Sequence, residues 1–98
     1  MDRAPIVAKF GGTSVTREHR HEVASRVAQL VGEGYPVVVV VSAMRTRQER
    51  DPYSTDALLR LAESIGPEVD LRERDLLLSC GEIISTTLMA HYMRVHYP

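Results

Sequence analysis

Ile6-Val7-Ala8-Lys9-Phe10-Gly11-Gly12-Thr13-Ser14-Val15 is a short apolar run that ends in two glycines and two hydroxyl residues. The run from Pro5 to Phe10 has the β-branched and apolar content of a strand. Beyond the glycines, Val23, Ala24, Val27, Ala28, Leu30 and Val31 recur mostly at three and four between Arg17 and Glu33, which predicts an amphipathic helix with Arg17, Glu18, Arg20, His21, Glu22 and Arg26 on its solvent face. Adjacent glycines permit positive φ and let a backbone approach a ligand closely. A helix starting just beyond them would direct unpaired N–H groups and its positive dipole end at that ligand. With Lys9 as a cation and Thr13 and Ser14 as hydroxyl donors, the chemistry suits a phosphate. The spacing is neither G-x-x-x-x-G-K-[ST] nor G-x-G-x-x-G. Two readings therefore stand side by side, a phosphate loop and a tight strand-to-helix turn with no ligand.

The next segment extends the pattern. Gly32, Gly34 and Pro36 punctuate the end of the helix, and Val37 to Val41 follow as five consecutive valines. A valine run without alternation predicts a strand covered on both faces, hence a parallel strand in an α/β sheet. Strand, helix and strand make a βαβ unit with a right-handed crossover. The polar stretch from Arg45 to Asp51 and then Pro52 to Asp56 reads as a loop at the carboxyl end of the second strand, beside the glycine turn, where open α/β sheets bind ligands. Ser54 or Thr55 caps a helix through Leu58, Leu59, Leu61, Ala62 and Ile65 that stops at Gly66-Pro67. Asp70-Leu71-Arg72-Glu73 resembles a capping box, and Ser79-Cys80-Gly81-Glu82 fits its standard form, so two more helices are expected to meet near Ser79. The second of these carries Ile83, Ile84, Leu88, Met89 and Tyr92, apolar enough to be substantially buried. Two strands and four helices leave open sheet edges, so the chain is expected to be a truncated piece.

Ninety-eight residues bound the chain at one modest domain or part of one. The 44% apolar and 26% charged content is that of a globular protein, and a net charge of −1 supplies no electrostatic footprint for nucleic acid or an anionic membrane. Arg45, Arg47 and Arg50, interrupted by Glu49, read as a solvated loop, with contact to a polyphosphate as the alternative. The longest apolar run is far short of the roughly 20 residues a bilayer span requires. A single cysteine and the lack of an apolar leader make a cytoplasmic location the expectation.

Candidate chemical residues divide by position. Glu82 is either a helix-capping carboxylate or an acid that holds an ammonium or hydroxyl group of a substrate. Cys80 has no histidine near it in sequence and reads as a small buried thiol. His19 and His21 are two apart and His91 and His96 five apart, which does not suit metal ligation from one helix face, so surface positions are expected. Asp51, Asp56 and Asp70 sit at turns or helix starts and Asp75 on a solvated helix face, so no carboxylate pair is marked for a metal.

Four motifs occur in order: Lys9-Phe10-Gly11-Gly12-Thr13-Ser14-Val15, Val37 to Val41 with Ser42-Ala43-Met44, Ser54-Thr55-Asp56-Ala57-Leu58-Leu59, and Leu78-Ser79-Cys80-Gly81-Glu82-Ile83-Ile84-Ser85. Together they cover nearly the whole chain and resemble the amino-terminal part of the aspartate kinases, within the amino acid kinase family. The resemblance implies an α/β three-layer sandwich, with residues 1–98 as the amino-terminal part of a catalytic domain whose later strands, nucleoside-binding half and regulatory domains are absent. It also implies phosphorylation of the L-aspartate side chain by ATP, with Mg2+ on the ATP phosphates, giving 4-phospho-L-aspartate for the lysine, threonine and methionine routes. By resemblance, Lys9 is the catalytic lysine that stabilises the transferring phosphoryl group, and Phe10, Gly11 and Gly12 complete its phosphate loop. Ser42 is similar to the serine beside the ATP phosphates, Thr55 to a threonine that contacts aspartate, and Glu82 to the glutamate that binds the substrate amino group. Arg45 departs from the family pattern, which commonly has glycine after Ser-Ala-Met, and the stretch to Tyr53 is longer than usual. The chain alone is expected not to turn over. A non-catalytic remnant, a homo-oligomer or a module that pairs with a complementary chain through an open sheet edge is the alternative.

Overall fold

The computed structural model describes residues 3–17, 19–45 and 52–98. Its elements run β1 (Ile6–Phe10), α1 (Arg20–Gly32), β2 (Val37–Val41), α2 (Thr55–Ile65) and α3 (Leu71–His96). The α/β class and the parallel βαβ unit are as expected: β1 and β2 pair parallel in register from Ile6 opposite Val37 to Phe10 opposite Val41. Pro36 O receives the Ile6 N–H at 2.9 Å and Phe10 O receives the Ser42 N–H at 3.2 Å, so the ladder runs past both strand ends.

Among the described residues the valine strand is covered on one face only, which corrects the expectation of two. Phe10, Val37, Val39 and Val41 pack against a core of Val15, Val23, Val27, Met44 and Met89, contributed by the turn after β1, by α1, by the end of β2 and by α3. The alternate residues face outward, with Val7 69%, Val38 53% and Val40 43% exposed. A period of two sends neighbouring side chains to opposite faces whatever their identity, so an all-valine run has an apolar outer row even where nothing covers it.

Helix α1 starts at Arg20 rather than Arg17, because the chain first makes turns held by Ser14 N–H to Gly11 O (3.1 Å) and Arg20 N–H to Thr16 O (2.9 Å). Its end is a Schellman motif: Tyr35 N–H reaches Leu30 O at 3.2 Å and Gly34 N–H reaches Val31 O at 3.0 Å. Gly34 takes φ +94°, the only positive φ among the described residues, so Gly11 and Gly12 do not use the left-handed region expected of them.

Helix α2 begins as expected, with the buried Ser54 accepting the Ala57 N–H at 3.2 Å. Asp70 caps α3 by accepting the Arg72 N–H at 2.9 Å. The second capping box does not form. Helix α3 runs unbroken through Ser79, whose hydroxyl donates to Leu76 O at 2.7 Å, so one helix of 26 residues stands where two were expected. Three rather than four helices are present among the described residues. Cys80 is exposed, not buried, and Ile83 is 66% exposed, because α3 meets the rest of the fold along the stripe Gly81, Ser85 and Met89. All four histidines are exposed, as expected. The arginine-rich stretch expected to form a solvated loop lies, beyond Arg45, outside the described residues. No helix among the described residues is long and apolar enough to cross a membrane.

Two glycines give opposite expected outcomes. Gly34→Ala forces a Cβ into the left-handed region and should destabilise the chain by about 1 to 2 kcal/mol. Gly32→Ala, with open space around the new Cβ, should stabilise α1 by about 0.5 to 1 kcal/mol; urea denaturation of both variants checks the contrast. At Gly81 a Cβ would lie 3.2 Å from Leu58 Cδ1 and 3.3 Å from Ala43 Cβ. Gly81→Val should therefore overpack the helix crossing and cost about 1 to 3 kcal/mol by the same measurement.

Candidate functional site

The site begins where both strands end. Gly11 is exposed, and a Cβ there would meet nothing within 4 Å. Gly12 is the reverse: a Cβ would lie 2.5 Å from Ala43 O and 2.8 Å from Arg45 Cβ, so the two chain segments touch backbone to backbone. The Arg45 N–H donates to Gly12 O at 3.0 Å and joins the turn after β1 to the loop after β2. Buried Val15 and Thr16 anchor the far side of the turn, and the Thr16 hydroxyl donates to Thr13 O at 3.0 Å. Close approach, not unusual dihedral angles, is what glycine supplies at position 12.

The second wall is set by Met44. Its side chain is in the core, and its carbonyl receives the Thr55 N–H at 2.9 Å and lies 3.5 Å from the Thr55 hydroxyl. The first residue of α2 is thereby fixed beside the end of β2. The third wall is α3, which comes close enough only because Gly81 has no side chain to strike Leu58 and Ala43. Glu82, the next residue, is exposed and lines a cleft.

That cleft has a volume of about 440 Å³, and Gly12, Ser42, Thr55 and Glu82 all line it. Four of the seven residues singled out in the sequence therefore converge, each from a different element or connection. Lys9, Phe10 and Gly11 are not among the lining residues. Phe10 packs in the core, and Lys9, exposed and one residue earlier on β1, belongs to the outer face of the sheet. With α3 continuous, Glu82 is far from any helix start, and the capping role weighed for it is excluded.

Arg74, Arg45 and Asp56 also line the cleft; Arg45 reads in the sequence as a loop residue and Asp56 as a helix-start carboxylate, and Arg74 has no distinguishing signal there. Arg74, Leu78 and Glu82 fall at successive intervals of four, a single stripe once α3 is one helix. The expected helix break at Ser79 hid that stripe. The cleft thus carries two guanidinium groups and two carboxylates around hydroxyl and backbone donors, a lining suited to a small molecule with charges of both signs. Helix α1, which begins well beyond the glycines, does not supply the helix start expected just beyond them. Among the described residues the one close contact between a basic and an acidic side chain, His19 to Glu22 at 3.8 Å, lies at the start of α1, and neither residue lines the cleft. No group of three or more His, Cys, Asp and Glu gathers among the described residues.

Comparison with known proteins places this geometry in context. Residues 4–97 match the amino acid kinase family. The chain is 49% identical over 84 residues to Aspartokinase 1 of Bacillus subtilis, covering 85% of this chain and 20% of that protein. It is 48% identical over 86 residues to the aspartokinase of Geobacillus stearothermophilus, covering 87% of this chain and 19% of the relative. Against the aspartokinase of Thermus thermophilus, identity is 41% over 88 residues, with 89% of this chain and 20% of the relative covered. The chain spans about a fifth of the length of the curated relatives it matches. With a family match across nearly all of its residues, a parallel βαβ unit and a cleft at the carboxyl ends of both strands, the chain belongs to the amino acid kinase family.

Proposed function

We propose that this chain forms the phosphate-loop and substrate-recognition part of an aspartate kinase site, which transfers the γ-phosphoryl group of ATP to the side-chain carboxylate of L-aspartate. The observation that carries this reading is the convergence of Gly12, Ser42, Thr55 and Glu82 on one cleft. The aspartokinase names of its relatives support the substrate class.

In this reading the Glu82 carboxylate holds the α-ammonium group of aspartate, and the Thr55 hydroxyl, fixed beside Met44 O, orients the substrate. Ser42 and the backbone of Gly11 and Gly12 face the ATP phosphates. Gly11 leaves open space in which phosphate oxygens approach the main chain. The Lys9 ammonium reaches the phosphates from the outer face of the sheet on its long stem and neutralises the charge that builds on the transferring group. Mg2+ accompanies the ATP phosphates and supplies further neutralisation when bound.

The chemistry asks little of a general base. A carboxylate is ionised at neutral pH, so its oxygen attacks the γ-phosphorus directly while the bond to the β–γ bridging oxygen breaks. That electron pair leaves with ADP, and no proton changes place. Alignment and charge neutralisation then provide the rate. A site assembled from a fifth of the length of its relatives is expected to bind without turning over, so the purified chain should release no ADP in a coupled assay with ATP and aspartate.

Binding tests the reading directly. In NMR titrations of the 98-residue chain, Mg-ATP should shift the amides of Gly11, Gly12 and Ser42, and L-aspartate those of Thr55 and Glu82. Lys9→Ala should weaken ATP binding about tenfold or more and leave aspartate binding unchanged, while Glu82→Gln should do the reverse. Gly12→Ala should abolish both responses, since its Cβ would collide with Ala43 O. Shifts confined to other regions of the chain would refute the assignment.

A further inference from the structure

Arg45 is held beside the glycine turn by its own backbone. Its N–H donates to Gly12 O at 3.0 Å. The residue before it, Met44, is buried in the core, and the Met44 carbonyl receives the Thr55 N–H at 2.9 Å. A Cβ on Gly12 would lie 2.8 Å from Arg45 Cβ, so the arginine side chain leaves the main chain directly against Gly12. The root of the side chain is therefore fixed, and the freedom that remains lies in its stem and guanidinium group.

The two arginines of the cleft stand at different places in it. Arg45 follows Ala43 by two residues, at the carboxyl ends of the strands with Gly12 and Ser42. Arg74 precedes Gly81, the point where α3 crosses Ala43, by seven residues, which is about 10 Å along the helix axis. Arg45 is thus the cleft-lining cation beside the glycine turn. Lys9 is placed differently, on the outer face of the sheet and not among the lining residues. Neither Asp56 nor Glu82, the carboxylates that line the cleft, forms an ion pair with Arg45, so the acids of the cleft do not neutralise it.

A guanidinium group keeps its charge at any physiological pH and presents a planar fork of donors that matches two oxygens of one phosphate. Room for those oxygens exists beside it, since a Cβ on the exposed Gly11 would meet nothing within 4 Å.

We infer that Arg45 is a phosphate-binding residue, whose guanidinium group closes over the outer phosphates of a nucleotide lying on Gly11, Gly12 and Ser42. The polyphosphate then sits between a backbone turn on one side and an arginine fork on the other, with the Lys9 ammonium arriving from the outer face of the sheet. The inference rests on the phosphate-loop reading above and adds to it a contact that the sequence motifs do not assign.

Inorganic tripolyphosphate tests it, because that probe engages only phosphate contacts and needs no nucleoside site. In NMR titrations of the 98-residue chain it should shift the amides of Gly11, Gly12 and Ser42, as Mg-ATP should. Arg45→Gln keeps the backbone bond to Gly12 O but removes the charge, and should weaken tripolyphosphate and Mg-ATP about tenfold or more. Arg45→Lys, a point charge without the fork, should fall between the two. The response of Thr55 and Glu82 to L-aspartate should be the same in all three chains, which a general loss of structure would not allow. If Arg45→Gln binds tripolyphosphate as tightly as the wild type while Gly11, Gly12 and Ser42 still respond, the role of Arg45 is overturned and the phosphate loop stands. If those three amides respond to neither probe in the wild type, the phosphate-loop reading fails and the inference fails with it.

Discussion

The close crossing of α3 over the ends of β2 and α2 is the contact on which the rest depends, and it exists because position 81 has no side chain. A Cβ at Gly81 would press on both Leu58 and Ala43, which belong to α2 and to the loop after β2. With hydrogen alone at that point, α3 comes close enough for Met89 to join the core and for Glu82 to line the cleft. A second close approach, between Gly12 and the backbone of Ala43 and Arg45, brings the turn after β1 to the same place. Neither contact contributes much energy by itself. Both remove steric obstacles, and the apolar burial of Val15, Val23, Val27, Met44 and Met89 then supplies the driving force.

The same arrangement leaves the other side of the molecule bare. Both α1 and α3 pack on one face of a two-stranded sheet, and the outer row of Val7, Val38 and Val40 stays exposed. Parallel strands are ordinarily buried on both faces, so a parallel pair with one apolar face in water is under pressure to cover it.

Much of the fold was legible in the residues because local signals agreed. The Gly34 cap, the Ser54 and Asp70 caps, the strand runs and the apolar spacing of α1 each depend on neighbours within a few residues, and the structure has all of them. The misreadings in α3 share one cause. Ser79-Cys80-Gly81-Glu82 has the composition of a capping box, but the tertiary contacts of Gly81, Ser85 and Met89 hold the helix together through it. Burial of Cys80 and Ile83 failed for the same reason, since which stripe of α3 faces inward is settled by the partner it packs on.

The amino-acid sequence by itself determined the α/β class, the parallel pairing of two strands across a helix, most helix ends and the family, because these follow from dihedral preferences, hydrophobic period and an ordered set of motifs. Only the tertiary structure decided that Gly12, Ser42, Thr55 and Glu82 line one cleft while Phe10 packs in the core and Lys9 stays on the outer face of the sheet. It also decided that Arg74 shares the cleft with Glu82, and that the valine strand is covered on one side alone. The physical reason is the same in each case: periodicity states which residues share a face, and only packing against a particular neighbour states what that face meets.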